Sequence, residues 1–264
     1  MFDMNDVTFI MTYYGQVEKL LHHCKFFSAL DPKFKHHIKV MFINDGYHDA
    51  GLFEDILSSY QDRFRLSAYM VTQDVGFNSH GCRNLAMLQS ETHWNVLTDI
   101  DVYWGNYLIE QILTKPLNDE NFYVFKVRFN YKDNAHDYEH VDDKKILKFV
   151  AHPNVFLMNK PCFWSSGGYD IEFTGLRHGD SEFFLALDKE KYEHFVFHPE
   201  YGEDYEEYPT IHVQDPNRAG SYINQASERS GYLKQTVDFV AKRNEDRERK
   251  LKKRIICFPW TQIL

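Results

Sequence analysis

The stretch that decides the fold is residues 95–105, NVLTDIDVYWG, where an apolar segment ends in two aspartates. In an extended strand, side chains two positions apart point the same way, so Asp99 and Asp101 aim at one place while Ile100 points back into the core. Two carboxylates held close together repel each other unless a cation lies between them. Mg²⁺ and Mn²⁺ accept carboxylate oxygens and leave coordination positions for phosphate. The pair indicates either a metal site or two exposed turn aspartates.

The segments around this stretch alternate between two patterns. Short apolar runs at residues 7–12, 38–43, 65–71 and 94–98 are typical of strands, and residues 16–30, 52–60 and 79–90 are typical of helices. Such alternation predicts an α/β fold, with a mostly parallel sheet flanked by helices on both faces. Ligands of such sheets bind at the carboxyl ends of the strands.

Polar residues follow each of the four predicted strands. They are Thr12-Tyr13-Tyr14, Asn44-Asp45-Gly46, the segment 73–78, and Asp99-Ile100-Asp101. Any one of them is explained by a turn or a helix cap, and for Asn44-Asp45-Gly46 alone we favour a turn. Their convergence on one edge predicts a binding site there.

The second half of the chain has a different pattern. We predict strands at 121–130, 154–158, 193–197 and 210–213, a helix at 181–188 and a charged helix at 228–254. The predicted division is one domain at 1–225, with halves 1–115 and 116–225, followed by a charged helix and apolar tail at 226–264. The apolar residues 255–264 are expected to pack back on the body or across a homodimer.

Composition limits the class of protein. The chain has 264 residues, 43% hydrophobic and 16% aromatic, which is typical of a packed globular protein. It lacks both a run of about 18 apolar residues and the pattern of a secretory signal, and its four cysteines are scattered like reduced thiols. We therefore expect a cytoplasmic protein without disulfides or a zinc site.

Charge is distributed unevenly along the chain. The net charge is −9, but residues 242–254 carry eight basic and three acidic side chains, which leaves 22 basic against 36 acidic residues elsewhere. An acidic body is poorly suited to nucleic acid and well suited to a divalent cation. The basic segment is expected to be a solvated helix face; the alternative is contact with anionic lipid or a partner.

The ordered motifs resemble the GT-A fold of nucleotide-sugar glycosyltransferases. Residues 7–14 are similar to the first strand of that fold, Asn44-Asp45-Gly46 to its nucleotide turn, and Gly81-Cys82-Arg83-Asn84 to its A-R-N element. Asp99 and Asp101 are similar to its D-x-D motif. The resemblance extends over roughly residues 5–215.

A later block resembles the family-2-like enzymes and the galactosyltransferase and chondroitin-polymerase group. It consists of Gly167-Gly168-Tyr169-Asp170 followed by residues 173–183, FTGLRHGDSEF. Two departures concern the acceptor: Gly179 replaces the glutamate of the E-D pair, and Leu176-Arg177 replaces an aromatic.

The resemblance implies roles for individual residues. It makes Asp101 a direct metal ligand, Asp99 a ligand through water or a ribose contact, and His212 a third ligand, with His178 and His152 as alternatives. Thr12, Tyr13, Asp45 and Arg83 would contact the nucleotide, Arg218 would reach the phosphate, and Asp180 would be the general base, with Glu182 in reserve. The alternatives are a core position for Tyr13, a surface salt bridge for Arg83 and a helix N-terminal charge for Asp180.

The function expected from this resemblance is a glycosyltransferase that depends on Mn²⁺ or Mg²⁺. It would move a sugar, by inversion, from a UDP-linked donor to a glycan, lipid-linked or protein-linked hydroxyl. The alternatives are a non-catalytic nucleotide-sugar or glycan-binding module and a sugar nucleotidyltransferase. The latter would need a glycine-rich basic loop after the first strand, and Thr12-Tyr13-Tyr14-Gly15 does not supply one.

Overall fold

The computed structural model describes residues 4–46, 49–73, 78–130, 149–171, 179–187, 192–195, 210–213 and 258–264. The predicted helix 228–254, the basic segment 242–254, Arg218 and His178 lie outside these ranges. Within the described ranges, no helix has the length and apolar character that crossing a membrane requires.

The first half alternates strands and helices as predicted. Its elements are β1 Val7–Tyr13, α1 Val17–Ala29, α2 Pro32–Lys35, β2 Ile38–Asn44, α3 Ala50–Ser58, β3 Arg65–Val71, α4 Ser79–Gln89 and β4 Trp94–Asp99. Strands β1, β2, β3 and β4 pair in parallel, in the order β3-β2-β1-β4. Their apolar runs are buried on both faces, which is what a parallel sheet between two helical layers requires.

The second half extends the same sheet mainly with antiparallel pairs. Its elements are β5 Val102–Trp104, α5 Asn106–Thr114, β6 Phe122–Asn130, β7 Phe149–Asn159, α6 Lys160–Ser165, α7 Gly179–Ala186, β8 Tyr192–Phe195, β9 Thr210–Val213 and β10 Trp260–Gln262. The described strands form one sheet in the order β10-β3-β2-β1-β4-β7-β6-β9-β5, and β8 pairs with β6. The sheet is therefore mixed: its first half is parallel, as the sequence predicted, and antiparallel pairs are added by the later strands.

Two hydrophobic clusters cover the two faces of the sheet. Alternate residues of one strand enter different clusters: Phe9 and Met11 of β1 pack toward α1, whereas Ile10 packs on the side of α4. This alternation is the two-residue period of an extended strand. Burial on both faces leaves the strand ends as the places where polar side chains meet solvent.

The C-terminal residues pack back on the body, one of the two arrangements expected for this tail. Strand β10 pairs antiparallel with β3, with Trp260 opposite Val71. Phe258 is buried in the cluster on the α4 side. The chain end thus supports the helix that carries several residues of the site described next.

Candidate functional site

The carboxyl ends of β1, β2 and β4 meet at one edge. Thr12 pairs with Asp99, and Tyr13 pairs with Asn44. The Asp45 backbone N–H donates a hydrogen bond to the Tyr13 carbonyl, 3.0 Å away. The structure therefore brings together the polar residues that the sequence places after three separate strands.

Asp45 joins this edge to the start of α4. Its side chain is buried, and it accepts hydrogen bonds from the Asn78 backbone N–H at 2.7 Å and from the Cys82 thiol at 3.4 Å. Gly46 follows with φ +73°, a left-handed conformation that glycine adopts without a steric penalty. The turn after β2 and the first turn of α4 are therefore held as one unit.

Arg83 lies at the centre of the candidate site. The side chain is only 1% exposed. It donates to the Tyr169 hydroxyl at 2.9 Å, to Asp99 Oδ1 at 2.5 Å and to the Asn154 carbonyl at 3.2 Å. Burial alone would lower the pKa of Arg83, but Tyr169, Asp99 and Asp180 raise it, so the guanidinium stays charged. It is not the surface salt bridge that we considered as an alternative.

Asp99 is held through both of its carboxylate oxygens. Oδ1 accepts from Arg83, and Oδ2 accepts from the Asn154 side-chain amide at 3.0 Å. About a quarter of the side chain remains exposed. Each carboxylate oxygen of Asp99 thus already accepts a hydrogen bond from the protein.

Asp101 follows in the turn between β4 and β5 and is 8% exposed. Its carboxylate is an oxygen donor of the type that Mg²⁺ and Mn²⁺ prefer, so the residues at this turn fit such an ion. Among the described residues there is no cluster of three or more metal-binding side chains. His212 pairs through its backbone with Val102, one residue after Asp101, and its side chain lies outside what the structure describes.

Asp180 comes to the same cluster from α7, far along the chain. Its Oδ1 lies 3.3 Å from His80 Nε2 and 3.6 Å from Arg83 Nη1. Burial alone would raise the pKa of Asp180, but the interactions with His80 and Arg83 lower it below its ordinary value. Asp180 is therefore a carboxylate at neutral pH. Glu182, the reserve base, is 5% exposed, whereas about a quarter of the Asp180 side chain is accessible.

His80 is a site residue that the sequence did not single out. The ring is 2% exposed and lies directly against Gly179, where an added Cβ would come within 2.5 Å of Cε1 and 2.6 Å of Nε2. The imidazole thus occupies the space that a side chain at position 179 would need. This contact explains why the chain has glycine where the resembling motif has glutamate. The sequence did contain one indication of His80: it lies three residues before Arg83, which places both side chains on one face of α4.

Tyr13 has the core position that was the alternative to a nucleotide contact. It is fully buried, and its ring centroid lies 4.9 Å from that of Phe53. Its neighbours Thr12 and Tyr14 are partly exposed at the same edge.

Similar architecture occurs in solved structures of S. aureus TarS, a GT-A glycosyltransferase. TarS 1-349 aligns with a TM-score of 0.53 and 12% sequence identity, over 79% of this chain and 60% of that one. The same fragment in complex with UDP-GlcNAc aligns with a TM-score of 0.52 and 13% identity, over 80% and 59% of the two chains. The chain described here therefore spans about 60% of the length of that fragment. No family model and no curated protein matches the sequence.

These comparisons confirm the predicted fold. The chain has the GT-A fold, a mixed, mostly parallel sheet flanked by helices.

Proposed function

We propose that this chain is a metal-dependent glycosyltransferase that moves a sugar from a nucleotide diphosphate sugar, most simply a UDP-sugar, to a hydroxyl acceptor. The observation that carries the proposal is the cluster in which Arg83 joins Asp99, at the carboxyl edge, to Asp180 on α7. A donor-binding turn and a candidate base are thereby held in one buried network. A solved structure of similar fold, S. aureus TarS, is in complex with UDP-GlcNAc, which supports a UDP-linked donor.

On the donor side, Asp101 would hold Mn²⁺ or Mg²⁺ directly, with His212 as the proposed third ligand. Such an ion supplies positive charge that stabilises a departing diphosphate. Asp99, fixed by Arg83 and Asn154, would bind through water or a ribose hydroxyl. Thr12 and Asp45 lie at the same edge, where Asp45 keeps the β2 turn in place for the nucleotide.

On the acceptor side, Asp180 would act as the general base. The acceptor oxygen attacks the anomeric carbon while the bond from that carbon to the diphosphate oxygen breaks, and the hydroxyl proton passes to Asp180. His80 and Arg83 lower the pKa of Asp180, so its side chain is ionised at neutral pH, which is the form a general base needs. The same lowering makes the carboxylate a weaker base than an ordinary aspartate. A single displacement of this kind inverts the anomeric configuration.

A screen of donors tests the proposal. Thermal unfolding would be measured with UDP-, GDP- and dTDP-sugars, with and without Mn²⁺, since a ligand at a hundredfold excess over Kd stabilises by about 2.7 kcal/mol. We expect one nucleotide family to stabilise the chain in the presence of Mn²⁺. Donor hydrolysis would then be followed for the wild type, Asp101→Ala and Asp180→Asn.

The matched control for these substitutions is Asp62→Ala. Asp62 is an exposed aspartate between α3 and β3, at the end of the sheet opposite the candidate site. Asp62→Ala should bind and hydrolyse the donor like the wild type. Asp101→Ala should lose donor binding, and Asp180→Asn should keep donor binding but lose turnover. A wild type that binds UDP-sugar without any turnover, even in an array of glycan acceptors, would favour the binding-module alternative. Release of pyrophosphate from UTP and a sugar phosphate would favour a nucleotidyltransferase.

A further inference from the structure

His23, on α1, contacts the D-x-D turn from beneath. Its Nε2 lies 2.9 Å from the carbonyl oxygen of Ile100, the residue between Asp99 and Asp101. The ring is fully buried, and its second nitrogen, Nδ1, has no hydrogen-bond partner among the described residues. Among the described residues, the His23 ring therefore has its hydrogen bond with the Ile100 carbonyl alone.

The direction of this hydrogen bond follows from its partner. A carbonyl oxygen only accepts, so Nε2 must carry the proton and donate it. Burial lowers the pKa of His23 to about 3, so the ring is neutral and has a single N–H. That N–H is committed to the Ile100 carbonyl.

A packing role alone does not account for a histidine here. Burying a ring nitrogen without a partner costs free energy, whereas an apolar side chain would fill the same core at no such cost. The hydrogen bond to Ile100 must offset that cost. It also gives the Ile100 carbonyl a buried donor.

The neighbouring residue of α1 strengthens the link. His22 stacks on Tyr103 of β5, with ring centroids 3.7 Å apart and planes 15° from parallel. Ile100 itself is buried in the cluster on the α1 side of the sheet. Helix α1 therefore holds both the turn and the strand that follows it.

We infer that His23 is a positioning residue: it fixes the peptide between Ile100 and Asp101 so that the Asp101 carboxylate is preorganised for a divalent cation. This inference rests on the proposed function, because it concerns the metal that Asp101 would hold. The Ile100 carbonyl belongs to the same peptide plane as the Asp101 nitrogen. A rotated peptide would therefore move Asp101 directly.

The test measures Mn²⁺ binding in the presence of UDP, by electron paramagnetic resonance of free Mn²⁺. His23→Leu keeps the apolar contacts but removes the donor, so the turn relaxes toward conformations that bind the ion poorly, and we expect the Kd for Mn²⁺ to rise about tenfold. His23→Gln places an amide N–H near the position of Nε2 and should restore most of the affinity. The control is Ile112→Ala, in the same hydrophobic cluster but next to Asn5, which precedes β1 at the opposite edge of the sheet. It should lower stability without changing the Kd.

The outcomes separate this inference from the proposed function. Wild-type protein that binds no Mn²⁺ with UDP would overturn both. Wild-type binding with an unchanged Kd in folded His23→Leu, or an equal loss in Ile112→Ala, would overturn the positioning role alone.

A measurement without substitution covers the case in which His23→Leu does not fold. The ¹⁵N resonances of His23 distinguish the tautomers, and we expect the Nε2-protonated form, with shifts that change when Mg²⁺ and UDP are added. An Nδ1-protonated ring, or shifts that do not respond to Mg²⁺ and UDP, would contradict the inference.

Discussion

The contact between Gly179 and His80 makes a quantitative prediction. An alanine at 179 would place its Cβ 2.5 Å from Cε1 and 2.6 Å from Nε2 of the imidazole. Ordinary contacts begin near 3.4 Å, so the ring must move by nearly 1 Å. The ring is 2% exposed, its centroid lies 5.2 Å from that of Tyr169, and its Nε2 lies 3.3 Å from Asp180 Oδ1. Overpacking of this kind typically costs about 1–3 kcal/mol, and we expect Gly179→Ala to lose that much.

Urea denaturation measures this cost, with Gly51→Ala as the matched control. Gly51 is also a glycine in the first turn of a helix, α3, but a Cβ there meets nothing within 4 Å. Gly51→Ala should be neutral or stabilising by up to about 1 kcal/mol, because alanine has the higher helix propensity. Both substitutions replace a helical glycine with alanine, but Gly179→Ala should lower the unfolding free energy, whereas Gly51→Ala should leave it unchanged or raise it.

A second comparison isolates the ring as the cause. In a His80→Ala background the space beside position 179 is open, so adding Gly179→Ala should cost little further stability. The reasoning is refuted if Gly179→Ala is as stable as the wild type. It is also refuted if Gly179→Ala lowers the unfolding free energy by the same amount in the wild-type and His80→Ala backgrounds.

Three further predictions follow from the buried network. Arg83→Met leaves the carboxylates of Asp99 and Asp180 without their cation and should lower the unfolding free energy measured in urea by about 3–5 kcal/mol. We expect the lower end of that range, because each carboxylate keeps some exposure. A loss below about 1 kcal/mol would contradict the central role of Arg83. The lowered pKa of Asp180 means that it contributes stability above pH 3.8 that is lost as the pH falls through its folded-state pKa. Asp180→Asn should therefore be less stable than the wild type at pH 7, with the difference shrinking in acid; a difference independent of pH would contradict this. Burial raises the pKa of the Cys24 thiol to about 12 and that of Cys82 well above its usual range. These two and the buried Cys162 should resist iodoacetamide in native protein and react in urea, as mass spectrometry would show; fast native labelling would contradict their burial.

The parallel half of the fold was predictable because its strands are buried on both faces. Such strands are continuous apolar runs bounded by polar residues, and that signal is local. The prediction of 65–71 agrees with β3, and the predictions of 7–12 and 38–43 differ from β1 and β2 by one residue at the end. The helix predicted at 52–60 instead occupies Ala50–Ser58, and its N-cap residue, Asp49, makes no side-chain capping hydrogen bond.

Elements stabilised by distant partners were missed. Strand β5 has three residues and exists through its pairing with β9, more than a hundred positions away. Strand β10 likewise depends on β3. Helix α6 did carry a local signal, since Asn159 caps it and a proline lies in its first turn. It is short, and its apolar residues resembled the end of the preceding strand.

The candidate site likewise contains residues that the local sequence predicts and contacts that it does not. Asp99, Asp101 and Asp45 could be predicted because each follows a recognisable strand. The contact of His80 with Gly179 joins positions about a hundred residues apart, and no local pattern contains it. The hydrogen bond from His23 to Ile100 is equally non-local. Both histidines act through geometry that only the folded chain creates.

Anomalous diffraction from crystals grown with Mn²⁺ and UDP tests the central claim most directly. We predict one manganese peak within bonding distance of an Asp101 carboxylate oxygen, about 2.0–2.2 Å, which also contacts the diphosphate. UDP bound at another surface, or an ordered site with manganese absent from Asp101, would contradict the account.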